Sequence, residues 1–212
     1  MKKILLLVFC CACFFPSFAQ KTDKKLQAKV EELFKEFNGT VGIYIKNLNN
    51  NKVVRINADT VFPTASIVKV PILIGVMDRI QKKDLKYNQE LIYRDSLRYS
   101  DFDIQAAYRD SQKTELGRLI MLMMTMSDNT ASLWLQNLAG TGTHINHILD
   151  SLGFDSTRVN SRTPGREGQR TIHGWGQTTP YEMATLVEKI YRGEIISRAA
   201  SDQMLRIMNR NF

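Results

Sequence analysis

The stretch SIVKVPILI, residues 66–74, sets a serine and a lysine three positions apart at the head of an apolar run. On a helix, side chains at that spacing share a face and can meet. Ile67, Val68, Val70, Pro71, Ile72, Leu73 and Ile74 surround the pair, so Lys69 is expected either to snorkel or to be buried for a purpose. A buried lysine loses proton affinity and can then accept the proton of a serine hydroxyl, which makes that hydroxyl a nucleophile. Taken alone the pair says little, because a chain of this size carries about one Ser-x-x-Lys by chance. The plain alternative is a surface serine and lysine on a solvated helix face.

Upstream of this stretch, Leu26, Val30, Leu33, Phe34 and Phe37 recur at helical spacing between Thr22/Asp23 and Gly39, which predicts a helix over 23–38. The period then changes to two through Val41, Ile43 and Ile45, and after the Asn47–Asn51 turn cluster a second strand follows at 52–57. A helix followed by a hairpin is an α+β opening. Downstream, 114–126 reads as a buried helix, followed by helices at 129–138 and 144–152 that close on Gly140 and Gly153. Residues 156–178 show no periodicity and read as a long irregular loop, a feature that is often functional. Thr179-Pro180-Tyr181-Glu182 then has the make-up of a reciprocally capped helix start; that helix runs to Arg192, and Ser197 opens a last one.

Ser127-Asp128-Asn129 lies between two of these helices, where a short turn can push polar side chains into a cleft. A given tripeptide occurs in roughly a few per cent of chains this long, although Ser and Asp before a helix are also ordinary caps. Ser66 and Ser127 stand 61 residues apart, the first at a helix start after a hairpin and the second after a buried helix.

With both motifs in this order and at this separation, the sequence resembles the penicillin-recognising serine enzymes, in particular the class A β-lactamase-like group. The resemblance runs over about residues 25–210 and extends to the Thr178-Thr179-Pro180 helix start. It implies an α+β fold of the β-lactamase/transpeptidase type, an antiparallel sheet with flanking helices plus an all-helical lobe. It also implies site roles. Ser66 would be the acylated nucleophile and its N–H half of an oxyanion hole. Lys69 would be the proton acceptor or part of the proton network, and Ser127 would shuttle a proton to the leaving nitrogen. Asn129 would bind the acylamide side chain, while Asp128 would hold the loop. Glu167, the only acid between Asp155 and Glu182, stands where the family has a glutamate that activates the deacylating water; the bland reading pairs it with Arg166 or Arg170.

The family's Lys-Thr-Gly strand has no counterpart, since the only lysine after Asn129 is Lys189, inside a helix. The expectation is therefore a catalytic domain over 20–212 that lacks its C-terminal strands and final helix. The function expected is an exported serine hydrolase that opens β-lactam amides through an acyl-serine. A D,D-peptidase acting on peptidoglycan peptides and an inactive binding domain are the alternatives.

Composition sets the remaining bounds. The chain has 212 residues, 43% hydrophobic and 24% charged, which fits a folded protein and excludes collagenous or disordered classes. Lys2 and Lys3, the apolar run 4–15 and Ser17-Phe18-Ala19 make a signal peptide over 1–19, with secretion or export to the periplasm expected. Its apolar run is shorter than the roughly 20 residues that span a bilayer, so no stable membrane insertion is expected after cleavage. Cleavage removes Cys10, Cys11 and Cys13, leaving no thiol chemistry and no disulfide, and lowers the net charge from +8 to +6. That charge is scattered rather than blocked with aromatics, which argues against a nucleic-acid partner. No cofactor and no metal are expected; His144 and His147 could share an ion but have no evident third ligand and read as a partly exposed helix face. Met121, Met123, Met124 and Met126 read as core filling. The expected partner is a small β-lactam or a peptidoglycan peptide, and the expected state a monomer.

Overall fold

The computed structural model describes residues 20–210. The expected leader, 1–19, lies outside the described residues. Among these, no helix is long and apolar enough to cross a membrane.

The first helix, α1 (Lys24–Leu33), is capped by the Asp23 carboxylate, which accepts from the Leu26 N–H at 3.1 Å. It stops five residues short of the expected 38, and Leu33 and Phe37 are left 85% and 60% exposed. The apolar spacing there meets no packing partner, and a helix this short draws little stability from propensity alone. Strands β1 (Ile43–Lys46) and β2 (Val53–Ile56) pair antiparallel, Ile43 with Ile56 and Lys46 with Val53. Residues 21–23 cover the other edge of β2, with Val53 donating to Lys21 and Asp23 donating to Val53.

The helix that begins at Lys69, α2 (Lys69–Gln81), is the axis of the core. Every residue from Lys69 to Asp78 is buried. Around it pack α3 (Leu116–Thr125), α4 (Asn129–Leu138), α5 (Thr141–Ser151) and α8 (Arg198–Met208). Ile72, Leu73, Ile120, Leu135, Leu149 and Met204 are all fully buried in the resulting cluster. Gly75 lets α5 approach, since a Cβ there would lie 2.7 Å from Ile145 Cγ1. Met123 fills the core and Met121 and Met124 pack against it, but Met126 is 55% exposed and corrects the reading of the methionine stripe.

His144 is half-buried and has a partner. Its Nε2 lies 2.8 Å from the buried Asp78 carboxylate, which also accepts from Lys82 Nζ at 2.9 Å. Burial pushes the Asp78 carboxyl up, but the hydrogen bonds and charges of Lys82 and His144 outweigh it and hold the group below the usual carboxylate range. The pair ties α5 to α2. His147 is exposed, and no cluster of three metal-ligating side chains occurs among the described residues.

Two short sheets were not expected. β4 (Glu90–Ile92) pairs with β5 (Lys113–Glu115), so the helix expected from 114 begins at Leu116. β3 (Phe62–Pro63), β6 (Arg158–Val159) and β7 (Gly176–Thr178) form a three-stranded antiparallel sheet in the order β3-β7-β6. The 156–178 loop is therefore structured, and it also holds the short helix α6 (Glu167–His173). Strands of two or three residues are too short to show a period of their own.

Helix α7 (Pro180–Arg192) begins as expected, with Thr179 Oγ1 accepting from the Glu182 N–H at 3.1 Å, and ends on Gly193 at φ +77°. Glu182 does not reach back to the cap. Its carboxylate accepts instead from the N–H groups of Asp155 and Ser156, at 3.0 and 2.9 Å, and from Thr157 Oγ1 at 2.6 Å. α7 packs on β1, where Lys46 Nζ sits 2.8 Å from Glu188. The whole is α+β, with small antiparallel sheets packed against the helices.

Candidate active site

Thr64 N–H donates to the Gly176 carbonyl at 2.9 Å, which anchors the chain on β7 just before a 3₁₀ turn, Ala65–Val68, that runs directly into α2. Ala65 has φ +44°, a left-handed conformation costly for a residue with a Cβ, and such positions concentrate at functional sites. This turn exposes Ser66 while Lys69, three residues on, is only 3% exposed. Across from them, the turn between α3 and α4 holds Ser127 at φ +57°.

The Lys69 Nζ lies 3.1 Å from Ser66 Oγ, 2.8 Å from Ser127 Oγ, 2.9 Å from the Ser127 carbonyl and 3.1 Å from Asn129 Oδ1. Ser127 Oγ also donates to Ser66 Oγ at 2.8 Å. An ammonium has three N–H groups, so these four acceptors compete for it. Burial pulls the Lys69 amine below the usual lysine range, against the opposing charges of Asp103 and Asp128. An amine so placed can exchange protons with two hydroxyls that already touch each other. The structure thus brings together Ser66, Lys69, Ser127 and Asn129.

Asp128 holds the turn. One oxygen caps α4 by accepting from the Ala131 N–H at 2.7 Å, and the other accepts from the Gln105 N–H at 3.0 Å. A second carboxylate, Asp103, accepts from the N–H groups of Asn129 and Thr130 at 3.0 and 2.9 Å and from Thr130 Oγ1 at 2.6 Å. Thr130 Oγ1 in turn accepts from the Tyr99 N–H at 3.0 Å. Nothing in the sequence around Asp103 pointed to it, because the contact joins segments 26 residues apart.

These residues open on a cleft of about 460 Å³. Ser66, Lys69 and Asn129 form one wall; Ile172, His173 and Trp175 form the facing one. Tyr99 and Trp175 meet edge-on at 4.9 Å between ring centres, joining the walls. His173 thus borders the cleft. A larger hollow of about 610 Å³ between β1 and α7 holds none of the four clustered residues.

Glu167 is not brought to this cleft. It is exposed at the start of α6, its Oε1 accepts from the Gly165 N–H at 3.2 Å, and the small cavity it borders is shared with Asn160 and Arg170. Neither expected arginine pair forms. Arg166 turns the other way, donating to Asn160 Oδ1 and Gln177 Oε1, each at 2.9 Å.

Comparison with known proteins adds four findings. The family described as the Beta-lactamase enzyme family matches residues 25–212. Beta-lactamase VEB-1 of Pseudomonas aeruginosa is 24% identical over 212 residues, covering 97% of this chain and 70% of its own length. Among solved structures, the acyl-enzyme complex of a PBP-A mutant with penicillin G superposes with a TM-score of 0.79 at 26% identity, covering 91% of this chain and 71% of that one. A beta-lactamase from Chitinophaga pinensis reaches a TM-score of 0.77 at 24% identity, over 89% of this chain and 70% of that one.

Proposed function

The chain belongs to the Beta-lactamase enzyme family, and from that premise we propose that it is an exported serine hydrolase that opens β-lactam amides through an acyl-enzyme on Ser66. The observation that carries this reading is the single cluster of Ser66, Lys69 and Ser127 around a buried amine. Ser66 Oγ attacks the lactam carbonyl and its proton passes to Lys69 Nζ, directly or through Ser127 Oγ. The Ser66 N–H supplies one donor to the oxyanion. As the C–N bond breaks, Ser127 Oγ gives its proton to the ring nitrogen and recovers one from Lys69, leaving an ester on Ser66. Asn129, whose Oδ1 is held by Lys69, has its amide N–H groups for the acylamide carbonyl of the substrate. Water then cleaves the ester.

Intact-mass measurement after incubation with penicillin G tests this. The expected result is one penicillin added to the wild type and none to Ser66→Ala. A folded wild type that neither gains mass nor consumes penicillin G refutes it, and binding with neither outcome would favour the inactive binding domain.

A D,D-peptidase acting on peptidoglycan peptides is the second reading. It is favoured by the position of Glu167 outside the cleft, which leaves the acyl-enzyme without that base. The likeness to PBP-A points the same way. A penicillin adduct that persists for hours, together with release of D-alanine from an acyl-D-Ala-D-Ala peptide, would select it over the lactamase. Export rests on the residues 1–19; a secreted product beginning at Gln20 is the expected outcome of N-terminal sequencing.

A further inference from the structure

Asp103 and Asp128 brace each other's segments. Asp128 caps α4 yet spends its second oxygen on the N–H of buried Gln105, in the 3₁₀ turn Ile104–Ala107. Asp103 precedes that turn and spends both its oxygens on the first two N–H groups of α4. Each N-terminus is thus braced by a carboxylate from the other, and the residue on which this falls is Asn129, whose side chain touches Lys69. We propose that Asp103 is the positioning residue that holds Asn129 against Lys69 and sets the balance of charge around the lysine. The inference rests on the reading of Lys69 as proton acceptor.

Three facts support it. The three bonds to Asp103 orient the first turn of α4 from outside the helix, so the Asn129 side chain does not depend on its own cap alone. The Thr130 hydroxyl relays the contact to the Tyr99 N–H, which ties a third side of the cleft to the same carboxylate. Finally, burial lowers the proton affinity of Lys69, and the Asp103 charge is foremost among those that oppose the fall. The groups facing Lys69 are Ser66 from the 3₁₀ turn, Ser127 and Asp128 from the α3–α4 turn, Asn129 from α4 and Asp103 from the 103–107 segment; His173 borders the cleft from the far wall.

The sign follows directly. Acylation needs Lys69 neutral, so its rate rises with pH through the lysine's titration. Removing the Asp103 charge lowers that titration further, and the acid limb of acylation moves to lower pH. Loss of alignment acts separately and lowers the plateau.

The experiment measures the acylation rate by penicillin G against pH for wild type, Asp103→Asn and Asp103→Glu, with Lys69 titrated directly by NMR of ¹³Cε-labelled lysine. Asp103→Asn is expected to lower the plateau and shift both the limb and the NMR midpoint to lower pH. Asp103→Glu, which keeps the charge and misplaces it, is expected to lower the plateau with the midpoint close to the wild type. If Asp103→Asn does not fold, Asp103→Ser keeps an acceptor without the charge and carries the same expectation. An NMR midpoint unmoved in the neutral variant overturns the proposal. A wild type that never acylates refutes the assigned function instead, and the lysine titration still decides the case for Asp103.

Discussion

On one wall of the cleft, the Ser127–Thr130 turn is clamped by two carboxylates and a left-handed serine, and Asp128 and Thr130 are buried. On the other, the segment from Arg162 to Trp175 carries a seven-residue helix with no buried residue, held at its base by Arg166 and by the pairing of β6 with β7. Both walls descend from turns rich in polar residues, yet only the first is over-determined. The difference lies in where the carboxylates go: the first wall sets two of them across chain segments in charge-assisted bonds, which are roughly twice as strong as neutral ones, whereas the second has Arg166 alone for such bonds and spends its nearby carboxylate, Glu167, on its own loop. In the proposed reaction, the proton steps of acylation are built on the rigid wall. The facing wall carries side chains that border the substrate space and has less to hold them in one place.

Breaking the rigid wall at its centre has the largest expected effect. Lys69→Ala should slow acylation of Ser66 by about 10²–10⁴, the range for a positioned proton-transfer group, while the protein still unfolds cooperatively on heating. Loss of the cooperative transition instead would make Lys69 a structural residue. Asp128→Ala removes a cap and orphans the Gln105 N–H, and should cost about 1–3 kcal/mol in chemical denaturation. An unchanged midpoint would mean that Asp103 alone holds the turn.

The second wall predicts smaller changes. Gly142 lies under it on α5, and a Cβ there would collide with Thr163 Oγ1, whose hydroxyl otherwise donates to the Ser161 carbonyl. Gly142→Ala should therefore destabilise by about 1 kcal/mol through overpacking, read as a lowered thermal midpoint; a midpoint at or above the wild type would show that the segment gives way freely. The smallest effect belongs to Glu167→Gln. A side chain outside the cleft should change the lifetime of the acyl-enzyme by no more than about twofold, as surface substitutions do. A lifetime extended a hundredfold would put Glu167 at the reacting ester and would abolish the contrast between the walls.

The sequence by itself determined what depends on neighbours within a turn or two. The apolar run after Ser66 specified the central helix, and the spacing of Ser66 and Lys69 specified their shared face. Thr179-Pro180 and Ser197 specified helix starts, and Gly153 a helix stop, because caps and left-handed closures are local. Ser127-Asp128-Asn129 was legible as a turn placed between two helices. Only the tertiary structure decided the rest. The two- and three-residue strands pair because α2 and its partners lay distant segments side by side, and such segments carry too few residues for a period. Glu182 abandons its own cap because the 155–157 loop offers it four donors. The same holds for the site: Asp103 enters it, and Glu167 stays out, through contacts between segments whose separation along the chain conceals their closeness in space. A carboxylate's partners are chosen by which N–H groups the fold leaves unsatisfied within its reach, and that is a property of the packed molecule.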